Sequence, residues 1–210
     1  MNNSTYTLIA YRVKYFRPLI AVAFSLMVSL GNGKLASAQI YRIGAGLSFA
    51  TGYEYNSIPI GNPGLKVKTW IALDKRSTIH IVPTLSAFNR NTLDAGYYSI
   101  TNYMFMGDLD AQYLVFKEQT LQIVVFGGGN VTHLSSTVTQ TDPKYPIPEY
   151  APGNKSDFAL GANLGAGLEL RMAAKWDMNV SAKYIISKYS QLIISVEGVY
   201  YFKNRRRVRR

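Results

Sequence analysis

The stretch Asp157–Leu170, DFALGANLGAGLEL, alternates without a break. Phe158, Leu160, Ala162, Leu164, Ala166, Leu168 and Leu170 are apolar, and the residues between them are small or polar. A strict period of two is a β-strand with two unlike faces. Alternation leaves open which face meets water. In a soluble sheet the Leu face is the core; in a membrane barrel it meets lipid, and the Asn/Glu face lines the interior.

The same pattern recurs along the chain. Runs at 40–50, 65–73, 78–88, about 101–114, about 120–132, 157–170, 176–186 and 192–202 each set one apolar face against a small or polar one. Pro83 is awkward in the third, since it has no ladder donor. Glycines in FGGGN (126–130) read as strand glycines that permit close packing or curvature. The connections alternate in length. Segments 51–64, 89–100 and 133–156 are long, whereas 74–77, 116–119 and 171–175 are short; 187–191 is a reduced member of the long set. Long and short connections therefore fall on opposite ends of one sheet.

The 210 residues suffice for one domain or one modest barrel. There is no cysteine, which removes disulfides, thiolate metal sites and a lipidated Cys. Charged residues make up only 17%, beside 16 Tyr and 17 Gly. The net charge of +11 resides in the two ends, because 39–202 holds 13 cations and 12 acids. That distribution argues against a nucleic-acid partner.

Residues 1–38 read as a secretory signal peptide. Arg12, Lys14 and Arg17 precede an apolar run, Pro18–Leu30, and Ala36-Ser37-Ala38 fits the small-x-small cleavage pattern. The run of 13 residues is shorter than the about 20 that span a bilayer as a helix. Cleavage is expected after Ala38, exporting a barrel at 39–202 and a basic tail at 203–210.

Export, alternating loop lengths, aromatics at the ends of the apolar faces and a small, polar opposite face choose lipid for the Leu side. The expected fold is an all-β, eight-stranded, antiparallel up-and-down transmembrane barrel in the bacterial outer membrane. Tyr41, Tyr113, Phe158, Trp176 and Tyr184 are the expected lipid-interface aromatics. The inward face collects Arg42, Lys66, Lys68, His80, Asp108, Asp110, Glu169, Lys183 and Glu197. An eight-strand lumen is about filled by side chains, so these charges are expected to pair in a closed network.

Signal peptide, eight alternating strands and the final EGVYYF together resemble the small outer-membrane β-barrel family, of the OmpX and OmpA transmembrane-domain type, found among Gram-negative porin-family barrels. The resemblance covers 39–202 and is one of pattern. It implies that Phe202, with Tyr200 two before it, is the terminal aromatic signal read by the barrel-assembly machinery. This chain departs by continuing through KNRRRVRR, so the aromatic is internal.

No catalytic, metal or cofactor site is expected. His80 lies mid-strand and inward; His133, Ser135 and Ser136 open a long loop with no acid close in sequence. The expected work is structural, adhesive or that of an accessory subunit, with lipid as one partner and other outer-membrane or periplasmic proteins as others. The tail cations Lys203, Arg205, Arg206, Arg207, Arg209 and Arg210 form one candidate contact and the Tyr/Pro-rich loop 133–156 the other. A narrow ion-conducting pore and a secreted lipocalin-like ligand-binding barrel stand as alternatives.

Overall fold

The computed structural model describes residues 40–51, 53–55, 58–60, 63–74, 77–94, 96–144 and 153–202. The expected signal peptide and the tail at 203–210 lie outside the described residues. The barrel strands are β1 (Ile40–Thr51), β4 (Pro63–Ala72), β5 (Ile79–Asp94), β6 (Tyr98–Lys117), β7 (Leu121–Gln140), β8 (Lys155–Arg171), β9 (Trp176–Ser187) and β10 (Gln191–Tyr201). They close in the order β1-β10-β9-β8-β7-β6-β5-β4, each antiparallel to its neighbours. Two short strands, β2 (Tyr53–Tyr55) and β3 (Ile58–Ile60), pair as a separate hairpin. Closure matters energetically, because it leaves no unpaired sheet edge around the barrel wall.

The faces sort as the period of two requires. On β8, Leu160 is 80% exposed, Leu164 67% and Leu168 45%, while Asn163 and Glu169 on the other face are buried. The Leu face is the outside. A secreted barrel with that face around a ligand is therefore not the arrangement adopted.

The strands differ from expectation mainly in length. β5, β6, β7 and β8 run for 16, 20, 20 and 17 residues, against 10 to 12 for β1, β4, β9 and β10. A bilayer-crossing strand needs about 9–11 residues, so β6 and β7 are about twice that. The surplus lies at the long-loop end. Much of 89–100 and 133–156, expected as loop, is paired sheet: Tyr98 pairs with Gln140 and Asp94 with Ser99. Asn, Ser, Thr and charged residues dominate 89–94 (NRNTLD) and 135–140 (SSTVTQ), with Leu93 and Val138 the apolar exceptions. These stretches therefore lack an apolar period, yet they pair through cross-strand contacts such as Thr92 Oγ1 to Thr101 Oγ1 at 3.3 Å.

Two local details follow from residue chemistry. The β4–β5 ladder passes from Lys68–Thr84 directly to Ile71–Ile81, so no bond from that side is asked of Pro83. At Gly128 on β7, an added Cβ would fall on the Leu109 carbonyl oxygen of β6, deep inside van der Waals contact. The β6–β7 backbones can approach as they do there only because position 128 has no side chain.

Candidate functional site

The nine inward charged and His residues come from seven of the eight barrel strands, and none is more than 7% exposed. The structure groups seven of them into three clusters. At the short-turn end, Arg42 of β1 pairs with Glu169 of β8 at 2.6 Å and donates to the Tyr201 hydroxyl at 2.9 Å. Gln112 donates to the second Glu169 oxygen at 3.3 Å and accepts from the Trp70 indole N–H at 3.0 Å. The Arg42 guanidinium lies 4.2 Å from the Trp70 ring centroid, which closes the circuit Arg42–Glu169–Gln112–Trp70. Tyr201 passes the chain on by donating to Asp177 at 2.8 Å.

In the second cluster, Glu197 of β10 sits between Lys66 and Lys68 of β4, with Lys66 at 3.1 Å. Lys66 also donates to Ser195 Oγ and Lys68 to Asn179 Oδ1. In the third, Asp108 of β6 accepts from Lys183 of β9 at 2.5 Å, from Asn130 at 2.6 Å and from Asn163 at 3.3 Å. Glu169 and Asp108 thus each have a cation and further donors, and Glu197 has two cations. That is the condition under which buried ion pairs are tolerated; an unpaired partner costs several kcal/mol.

Two of the nine stand outside the ion pairs. His80 exchanges a hydrogen bond with the Tyr41 hydroxyl at 2.6 Å. Asp110 lines a void of about 10 Å³ shared with Lys66, Lys68, Gln112 and Asn179, about the size that holds one water. Sequence reasoning missed Asp177, Gln112, Asn179, Tyr201 and Trp70. Their signal was parity alone: each alternates onto the same face as a chosen charge on its own strand.

Above the charges, at the long-loop end, the lumen changes character. Ala50, Phe88, Met104, Met106, Leu134, Ala159, Ile185, Tyr189 and Ile193 form one buried apolar cluster. A smaller cluster of Trp70, Val82, Val199 and Tyr201 packs at the other end, with Tyr41 against it. The charged layer therefore has a buried apolar cluster above it, and Trp70 and Tyr201 of the smaller cluster pack directly on Arg42.

Aromatics ring the outer face at two levels. At the short-turn end Trp176 lies 5.1 Å from Tyr200, and Tyr200 meets Phe202 edge-on at 5.8 Å; Tyr113 and Phe116 are also exposed. At the other end Phe158 and Tyr184 are exposed, and Phe158 packs on His133 with centroids 4.4 Å apart. Tyr41 is a correction to the expected interface set. A register shift between Ile40 and Arg42 turns it from the outer face toward His80 and Tyr201. His133 is outward on β7 and bonds Ser156 Oγ at 3.0 Å, while Ser136 alternates to the inner face, so the three residues of that segment do not converge.

No family model and no curated protein matches the chain by sequence. Solved structures do match in fold. Neisserial surface protein A aligns with a TM-score of 0.55 at 9% identity over 79% of this chain and 99% of that one. The N-terminal β-barrel domain of Pseudomonas aeruginosa OprF gives 0.51 at 13% identity over 79% and 100%. Ail, the attachment invasion locus protein of Yersinia pestis, gives 0.51 at 9% over 78% and 99%. The chain shares the eight-stranded closed barrel of these outer-membrane proteins.

Proposed function

We propose that the chain is a non-enzymatic outer-membrane β-barrel with a structural and adhesive role, its short turns in the periplasm and its long β5–β8 wall outside. One observation carries the reading: the barrel is inside-out, with Leu residues and two aromatic belts on the exterior and paired charges within. In water that exterior would leave a continuous exposed apolar belt, which soluble monomers avoid; in a bilayer it is the stable arrangement. The polar, paired sheet beyond the upper belt supplies a rigid presenting surface. Among the fold relatives, the one named for attachment and invasion supports an adhesive use of such a surface.

The plugged lumen favours a closed barrel over the narrow-pore alternative. The same surface also serves contact with partner proteins in the membrane, as in an accessory subunit. Export through the signal peptide, cleavage after Ala38 and reading of Tyr200 and Phe202 by the assembly machinery belong to the proposal. The test is cell fractionation with heat-modifiable gel mobility of the extracted protein. Recovery with the outer membrane and a mobility shift on boiling is expected. A soluble periplasmic or secreted protein would overturn the reading.

A further inference from the structure

Asp108 and Asp110 are neighbours on the inner face of β6, and the strand register serves them differently. Asp108 lies opposite Thr84 on β5 and Asn130 on β7, and Asn130 donates to it at 2.6 Å. Asp110 lies opposite Val82 and Gly128, neither of which carries a side-chain donor. Its Oδ1 is buried and receives no hydrogen bond from any described residue. A buried carboxylate oxygen left without a donor is costly, so a polar group from elsewhere is expected to reach it.

The complementary group lines the same void. An ammonium has three N–H donors. Glu197 Oε1 stands 3.1 Å from Lys66 Nζ and Ser195 Oγ 3.2 Å, which leaves at least one N–H of Lys66 without an acceptor. Lys68 is more fully engaged, by Glu197 Oε2, by Asn179 Oδ1 and by the Trp70 ring, whose centroid is 4.7 Å from its Nζ. Charge points the same way. Lys66 and Lys68 share the one carboxylate of Glu197, whereas Lys183 is held by Asp108 and leaves Asp110 with no cation of its own.

The void between these groups measures about 10 Å³, about the space one water requires, and Thr84, Gln112 and Asn179 add to its polar lining. A bare cation there would face two ammonium groups, and an anion would face Asp110. A neutral molecule of water size, able to accept from one wall and donate to the other, suits both.

We propose that one buried water is a structural ligand of this site, accepting from Lys66 Nζ and donating to Asp110 Oδ1. It joins the Lys66–Lys68–Glu197 cluster on β4 and β10 to the Asp108–Lys183 cluster on β6 and β9. A single molecule held in this way is part of the packed network rather than bulk solvent. The site is built from lumen residues alone and stands independently of what surrounds the barrel.

The first test is a crystal structure of the full chain, refolded in detergent, at a resolution that shows ordered water. One solvent peak is expected within about 3.2 Å of both Asp110 Oδ1 and Lys66 Nζ. No density in the void, a peak that reaches only one of the two atoms, or a direct Lys66–Asp110 contact overturns the proposal. The second test compares urea midpoints of Asp110→Asn, Lys66→Met and the double variant. Each single change is expected to lower the midpoint, and the double variant should lie no lower than the worse single one, because the two groups share a partner. Midpoint shifts that add would show that no such partner links them and would overturn the bridge.

Discussion

The Arg42–Glu169 pair is the sharpest test of a dry lumen. Arg42→Met keeps most of the side-chain volume and leaves the Glu169 carboxylate buried, with Gln112 as its neutral donor. Glu169→Gln leaves the guanidinium on Tyr201 and over Trp70 with no counter-charge. Each single change is expected to cost about 3–5 kcal/mol, the price of stranding one buried charge. The double variant strands neither, so it should recover much of the loss and show a coupling energy of at least about 2 kcal/mol. The assay is urea unfolding of the lipid-embedded barrel, followed by Trp fluorescence and by heat-modifiable mobility. Trp70 adds a local readout, because its indole stacks on Arg42 and donates to Gln112. Additive single effects below about 1 kcal/mol, the value for exposed pairs, would show that water fills the lumen and would refute the closed-network account.

Other perturbations separate the two faces and the two ends of the barrel. Gly128→Ala is expected to block folding or cost several kcal/mol because its Cβ meets the Leu109 carbonyl, whereas Gly129→Ala, with nothing within 4 Å, should unfold at the wild-type midpoint. Leu164→Arg on the outer face should destabilise the lipid-embedded barrel by about 2–4 kcal/mol, and an unchanged urea midpoint would contradict lipid contact there. The wild-type barrel is expected to give no single-channel steps in a planar bilayer. Phe88→Ser/Met104→Ser/Leu134→Ser, which removes the centre of the apolar plug, should give small ohmic steps; conduction by the wild type would move the barrier elsewhere.

What the sequence made legible was parity. Leu160, Leu164 and Leu168 on one face of β8 and Glu169 on the other were readable from alternation, because a strand's side-chain period is two whatever surrounds it. Loop-length alternation then distinguished the barrel's two ends. The wall of β6 and β7 was not legible, since Ser135–Gln140 has no apolar rhythm and its pairing with Tyr98–Tyr103 is fixed by the neighbouring strand. Tyr41 failed for a different reason: a bulge shifts parity by one residue, and nothing local announces it. The lumen's internal contacts were also hidden. Arg42 and Glu169 are 127 residues apart, so which inward charge meets which depends on register accumulated around the closed sheet.

The apolar plug shows how far inside-out the chain is. Apolar residues occupy the outside for one reason and the upper lumen for another. Leu160 and Leu164 face outward because lipid is as apolar as they are, so no local partner is needed. Phe88, Met104 and Leu134 face inward in close contact, and their value lies in packing against one another and excluding water from the charged layer beneath. Exclusion strengthens every ion pair below, because attraction between charges grows as the effective dielectric falls. The plug and the pairs are thus one device. On this account, a polar plug would weaken the Arg42–Glu169 coupling at a distance. Repeating the Arg42/Glu169 cycle in the triple-Ser plug background should return a coupling reduced toward the about 1 kcal/mol of a hydrated pair. A coupling unchanged by the plug would show that the local cage of Trp70, Gln112 and Tyr201 alone keeps the pair dry.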